Sequence, residues 1–414
     1  MTPLETAALP VIGADTRMRL HDLASRPDGA DEVIVGRLAT GDFVRLPTVG
    51  MRVLELLSRH HSVAETRARV AEESGEEVDV ADFVSELITL GFVAEVDGLP
   101  VPAPEPRRPT FPRLTPRHAA WSLNPVLPVA VGVLALSAAA ALAARPQLVP
   151  SYHDLVWSRY GSLVLLVMFG VGWPLLLLHE AAHLITARAA GVPARVELGT
   201  RLQFLVVQTD MSGIELAPRR HRLTAYLAGI AVNVTVASCA TLALSGTRAG
   251  SPAHHALAIL AILALIPLPF QAMVFMRTDV YFVLQDLTGC PDLFGDGRAY
   301  ACYLARRLLP GRRHPRPADP SATMPAAQRR AVRVYSVVLV VGTILCLATL
   351  AAVTAPTDIS VLATAARHLG PGNSAVQRLD GLVVLLLLGG VQVLWIRTRW
   401  RTYRRHKRNR SEPQ

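Results

Sequence analysis

A chain of 414 residues that is 51% hydrophobic and only 18% charged, with a mean hydropathy of +0.33, falls outside the range of ordinary soluble enzymes. Its net charge of +10 raises nucleic acid as a partner, but the placement of the cations argues for a membrane instead. Four cysteines, Cys239, Cys290, Cys302 and Cys346, show no CxxC spacing and indicate neither a disulfide framework nor a thiolate metal site.

The first residues, MTPLETAALPVIGADTRMRL, lack a basic stretch followed by an apolar one, so no cleavable signal is expected and the first hundred residues should remain cytoplasmic. Residues 31 to 97 then read as a small folded domain. Glu32–Val35 and Asp42–Leu46 are short apolar-rich segments able to pair as strands. Val49–Leu57 follows as a helix with Val49, Val53, Leu56 and Leu57 on one face. Ser62-Val63-Ala64-Glu65 is a capping box that opens a second helix ending before Gly75. A third helix is expected from about Asp79 to Leu90, striped by Phe83, Val84, Leu87 and Ile88 and stopped by Gly91. Two strands and three helices in so short a span suggest a winged-helix-like α+β domain.

The stretches "GDFVRLPTVGMRVLELLSRHHSVAETRARV" and "DVADFVSELITLGFVAEV" resemble the PqqD-like peptide-recognition domain. In pathways that make ribosomally synthesised, modified peptides, that domain binds the leader of the precursor peptide, so the resemblance implies a peptide partner added as an extra strand at a sheet edge. A generic helical adaptor or a DNA-binding winged helix shares the same hydrophobic pattern. Beyond Gly98 prolines fall at 100, 102, 104, 106, 109, 112 and 116, which predicts an extended spacer that is stiff yet free to swing.

Apolar runs long enough to cross a hydrocarbon core follow at Val126–Ala144, Leu163–Leu184, Leu223–Leu244, Ala256–Phe275 and Val334–Val353, with a shorter sixth at Leu382–Ile396. With a cytoplasmic start, the inside loops collect Arg188, Arg195, Arg201, Arg219, Arg220 and Arg222, the run from Arg298 to Arg333, and the tail RTRWRTYRRHKRNR. The outside loops hold only Arg145, Arg159, Arg248, Arg367 and Arg378. This asymmetry explains the basicity through topology and anionic lipid, so no nucleic acid is expected. The expected fold is therefore an α-helical polytopic membrane protein of about six transmembrane helices behind a small N-terminal domain. It divides into residues 1–98, a Pro-rich linker at 99–120, a core at 121–308, a Pro/Arg-rich cytoplasmic loop at 309–330, and two further helices with the basic tail at 331–414.

Within the second run lies "WPLLLLHEAAHLITARAAG", residues 173 to 191. His179 and His183 are four residues apart, so on a helix they project from nearly the same face, one turn apart. That spacing suits two nitrogens gripping one zinc ion, with Glu180 offset so that it can act on a bound water without ligating the metal. Ionisable groups inside a span cost on the order of 2.5–3.5 kcal/mol each, and they persist mainly where they line a site. A catalytic zinc needs a third protein ligand. Asp279, at the cytoplasmic end of the fourth run, is the best candidate; Asp286 is the alternative, and a plain helix-end carboxylate paired with Arg277 is the bland reading of Asp279.

From about residue 160 to 295 the chain resembles the site-2-protease-like intramembrane zinc metallopeptidases. The resemblance rests on His179-Glu180-Ala181-Ala182-His183, on Arg277-Thr278-Asp279-Val280-Tyr281-Phe282-Val283-Leu284-Gln285-Asp286-Leu287, and on Gly229 and Asn233 of an Ala-Gly-x-x-x-Asn element. It implies one catalytic Zn2+ held by His179, His183 and Asp279, Glu180 as catalytic base, and Gly229 and Asn233 lining the site. Val280 stands where that family has glycine, Ile230 where it has proline, and Met273-Val274 where it has Asn-Pro. The β-rich stretch Arg195–Ile214 beside the motif is read either as an edge that receives an extended substrate or as an amphipathic surface hairpin.

The whole chain then reads as a plasma-membrane zinc metalloendopeptidase, with the N-terminal domain and C-terminal tail cytoplasmic, that cleaves a recruited precursor peptide within or near the bilayer. A membrane-tethered winged-helix regulator and a non-catalytic protease-like export or immunity protein are the alternatives.

Overall fold

The computed structural model describes residues 10–28, 31–155, 157, 158, 160–201, 204–308 and 318–410. They fall into two compact units: Met1–Ala120 with Ala187–Arg195 and Asp210–Arg222, and Trp121–Thr186 with Val196–Thr209 and Leu223–Gln414.

In the first unit, β1 (Met18–Leu20), β2 (Ala24–Pro27), β3 (Glu32–Arg37), β4 (Asp42–Pro47), β5 (Val93–Val96) and β6 (Leu99–Pro100) form two three-stranded sheets, ordered β2-β3-β4 and β1-β5-β6. The two expected strands are β3 and β4, paired antiparallel with Val33 opposite Leu46 and Val35 opposite Val44. Strands β1, β2, β5 and β6 have at most four residues each, too few for an alternating pattern to register in the sequence.

The three helices α1 (Thr48–Ser58), α2 (Val63–Ser74) and α3 (Val80–Thr89) lie where the periodicity puts them. The capping box is made: the Glu65 amide donates to Ser62 Oγ at 3.2 Å, and the Ser62 amide donates to a Glu65 carboxylate oxygen at 2.9 Å. Gly75 and Gly91 both take φ +71 after their helices, a conformation that favours glycine. Between helices and sheets, Val53, Leu57, Val84 and Phe92 are fully buried, and Val35, Leu56, Val70 and Leu87 nearly so. Each such side chain contributes about 1.5–3 kcal/mol by leaving water.

The first part of the chain after Gly98 is hydrogen-bonded to the sheets. Val101 N–H donates to the Ala94 carbonyl at 3.0 Å and Arg107 N–H to the Ala39 carbonyl at 2.8 Å. The buried Arg37 guanidinium takes the carbonyls of Gly91 and Pro104 at 3.3 and 3.4 Å. A polyproline-type segment makes no internal hydrogen bonds, so its carbonyls are available to a buried cation.

Two segments that the sequence assigns to the core also belong to this unit. Gly213 sits so close to Leu38 and Val192 that an added Cβ would lie 2.6 Å and 3.2 Å from them. Asp210 faces Arg107 at 3.4 Å and Arg195 at 3.8 Å. Burial pushes the Glu215 carboxyl up, against the pull of Arg45 and Arg222.

Among the described residues six helices, lying mostly in the second unit, are long and apolar enough to cross a membrane: Val126–Ala144, Gly161–Ala189, Arg219–Leu244, Pro252–Gln271, Ala326–His368 and Ala375–Trp400. We number the helices of this unit α4 (Val126–Ala144), α5 (Gly161–Ala189), α6 (Arg219–Leu244), α7 (Pro252–Leu265), α8 (Asp279–Thr288), α9 (Leu293–Leu308), α10 (Ala326–Thr349), α11 (Ala355–His368) and α12 (Ala375–Arg410). These helices, behind a small N-terminal sheet domain, are consistent with a multi-pass membrane protein.

Several helix limits differ from the expectation. The fourth run breaks earlier, α7 ending at Leu265 before Pro267 and Pro269. The fifth continues through a π-helical turn at Leu350–Thr354 into α11. The sixth is longer than expected: its candidate span Ala375–Trp400 has 26 residues, about 39 Å at 1.5 Å each, against a hydrocarbon core of about 30 Å. The Pro/Arg-rich loop at 309–330 lies partly outside the described residues, and its last part already belongs to α10.

Helix α6 is the most enclosed of the six, with 39% of its most apolar window buried. It buries small residues, Ala225, Gly229, Ala237, Ala240 and Thr241, which lets neighbouring backbones approach closely. Leu175 of α5, Ala237 of α6, and Ile259, Leu263 and Ala264 of α7 form one buried cluster. Asp380 of α12 accepts the Ser162 amide at 2.9 Å, which satisfies a free N–H at the start of α5.

Glu215 gives the fold its testable consequence. Its raised folded pKa means that the ionised form is less stable folded than unfolded, so its stabilising contribution holds at acid pH and is lost as pH rises through the carboxylate range. Glu215→Gln should therefore raise the thermal unfolding temperature of the full chain at pH 7 and leave it unchanged near pH 3.5.

Candidate metal centre

Helix α5 places His179 and His183 one turn apart and buries both, at 6% and 2% exposure, with Glu180 at 7%. Their partner arrives from a break in the chain a hundred residues on. After Pro267–Gln271 the backbone makes a 3-10 turn at Val274–Met276 and a left-handed step at Arg277, φ +58, before α8 opens with Asp279. A non-glycine residue held there costs on the order of 1–3 kcal/mol, and the surroundings must hold it. The Arg277 guanidinium lies over the rings of Tyr281 and Phe294, at 5.9 and 5.6 Å from their centroids. Gln271 completes the support: its side-chain oxygen accepts the Asp279 amide at 3.0 Å, and its carbonyl accepts the Thr278 hydroxyl at 2.7 Å.

Tyr281 anchors α8 from beneath. It is fully buried, its hydroxyl accepts the Phe294 amide at 3.0 Å, and burial pushes its phenol up to about 12, so it stays protonated.

Three atoms converge as a result. Asp279 Oδ2 lies 3.1 Å from His179 Nε2 and 3.2 Å from His183 Nε2, and the two imidazole nitrogens are 3.2 Å apart. Among the described residues, these three side chains are the group able to hold a metal ion. Asp286, the alternative ligand, is not in that group, and the Asp279 carboxylate goes to the histidines while Arg277 turns to the aromatic rings.

The donor set fits zinc. Bonds of about 2.0–2.1 Å to nitrogen and oxygen at tetrahedral angles would set donor atoms about 3.3–3.4 Å apart, close to the spacing here. The Ala225 carbonyl of α6, 2.7 Å from His183 Nδ1, can only accept, so Nδ1 donates to it and Nε2 is the ring atom that faces Asp279. Atoms this close need a positive charge among them, which a proton on an imidazole or a bound cation would supply.

Gly229 stands against His179, where an added Cβ would come within 2.3 Å of Nε2. Asn233, one turn further along α6 and on the same face, is 2% exposed. Three contacts to the site have no signal in the sequence reading: the Ala225 carbonyl, Gln271, and Thr209 of the strand Phe204–Asp210, whose hydroxyl lies 2.8 Å from Glu180 Oε2. Each depends on which backbone happens to pass the motif, which spacing along the chain does not encode.

Gly229→Ala is expected to destabilise the chain by about 1–3 kcal/mol through overpacking and to displace the His179 ring. Gly170→Ala, whose added methyl meets nothing within 4 Å, is the control and should be close to neutral. Thermal unfolding of the detergent-solubilised proteins compares them.

Comparison with protein-family models, with curated proteins and with solved structures finds no match for this chain.

Proposed function

We propose that the chain is an intramembrane zinc metalloprotease that cleaves a peptide recruited by its N-terminal domain, in the maturation of a ribosomally made, modified peptide. The observation that carries the reading is the meeting of His179, His183 and Asp279, from two helices about a hundred residues apart, beside the buried carboxylate of Glu180. An apolar helix that only had to span lipid would gain nothing from three ionisable groups at this depth.

Zinc bound by these three residues would supply a Lewis acid that lowers the pKa of a coordinated water toward about 7 and polarises the scissile carbonyl. Glu180 accepts the proton of the attacking water and then delivers it to the departing amine nitrogen. The Ala225 carbonyl keeps the His183 ring in one orientation throughout, and Gln271 holds the start of α8 so that Asp279 stays in place. Asn233 lines the same space from α6.

The front domain recruits, and the core cuts. The basic loops and tail set the cytoplasmic side of the plasma membrane, which puts the N-terminal domain with its peptide on the side where precursors are made.

The test uses the full chain purified in detergent, its zinc content measured, and fluorescein-labelled casein as the probe. Glu180→Ala should keep zinc and lose cleavage by about 10²–10⁴-fold. His183→Ala should lose both. Wild-type protein that takes up no zinc, or a Glu180→Ala protein that cleaves as fast as wild type, rejects the proposal, and salt-dependent DNA binding by the full chain would point to the regulator instead.

A further inference from the structure

The carboxylate of a general base must be aimed as well as present, and Glu180 sits on a helix whose own geometry does not aim it. A glutamate has three rotatable bonds, and freezing such a chain costs up to about 2 kcal/mol of side-chain entropy unless a partner holds it. That partner is visible. Thr209, on the strand Phe204–Asp210, lies with its hydroxyl 2.8 Å from Glu180 Oε2 and 3.0 Å from the Glu180 backbone carbonyl. Both distances come from one β-branched side chain in extended backbone, the residue type with the stiffest χ1.

A hydroxyl carries one proton, so Thr209 donates to one of these oxygens at a time. While it donates to Oε2, it holds one oxygen of the carboxylate and leaves Oε1 to meet a water. The side-chain oxygen Oε2 is the nearer of the two acceptors, and the hydroxyl points its hydrogen toward it. The backbone carbonyl, 0.2 Å further away, fixes where the hydroxyl oxygen sits relative to the helix.

We infer that Thr209 is the positioning residue for Glu180, anchoring its carboxylate from the strand beside the motif helix so that the base keeps one orientation toward the metal centre. The inference rests on the metalloprotease reading. It adds that the β-rich stretch after the motif has a duty toward the base itself, independent of any contact with substrate.

The experiment uses the full chain in detergent, loaded with Co2+ alone, and reads the visible absorption band of the bound ion together with cobalt stoichiometry. Glu180→Gln sets the reference, because removing the charge facing the metal centre shifts the band. Thr209→Val, which keeps the shape and removes the hydroxyl, should retain wild-type cobalt stoichiometry and shift the band in the same direction as Glu180→Gln. Thr209→Ser should restore the wild-type band. A Thr209→Val band identical to wild type, or a Thr209→Ser band that stays shifted, overturns the role of the hydroxyl while leaving the metal site intact. Loss of cobalt from Thr209→Val overturns it too, since the residue would then hold up the site and not the base. Wild-type protein that takes up no cobalt, or a Glu180→Gln band equal to wild type, overturns the underlying reading instead.

Discussion

Putting ionisable side chains inside an apolar helix is the constraint from which most of the second unit follows. Buried imidazoles and a buried carboxylate are unfavourable singly, and here each has the others as its partners. Their convergence requires a second element that delivers a carboxylate to the same point, and here that element opens after a break in the helix. The break after α7, with its two prolines, 3-10 turn and left-handed Arg277, is the local answer. Irregular backbone at such a place is tolerable because Gln271 takes up the freed polar groups.

Helix α6 serves the same constraint in a different way. It supplies no ligand, yet its Ala225 carbonyl orients His183 and its Gly229 leaves the volume that the His179 ring fills. A helix built of small residues can lie close enough to do both. Together with Thr209 on the neighbouring strand and Gln271 before α8, it forms a ring of ordinary groups around three unusual ones.

The first unit is organised by plain hydrophobic burial, but its boundary is set by polar bonds. Arg37, buried in the sheet, draws in the carbonyls of Gly91 and Pro104, and the proline-rich chain that looks like a loose spacer becomes part of the domain. The segment after the strand Phe204–Asp210 joins the same unit through Gly213 and the arginines around Asp210. Peptide recognition and cleavage, as proposed, would then be functions of two units whose chains interleave at residues 187–222.

The sequence by itself determined what is local. Three helices with their caps, the β3–β4 pair, the apolar runs and the two histidines one turn apart all follow from periodicity and spacing within a dozen residues, where neighbouring side chains have no choice of partner. It also named Asp279, on the strength of its place at a span end. Only the tertiary structure decided that Asp279 and not Asp286 meets the imidazoles, that Arg277 turns to Tyr281 and Phe294, that the four shortest strands pair, and that α12 is a full-length helix. The choice of Thr209, Gln271 and the Ala225 carbonyl as partners of the site was decided there as well. These are pairings across large separations in sequence, fixed by where backbones cross, and a linear pattern carries no record of a crossing.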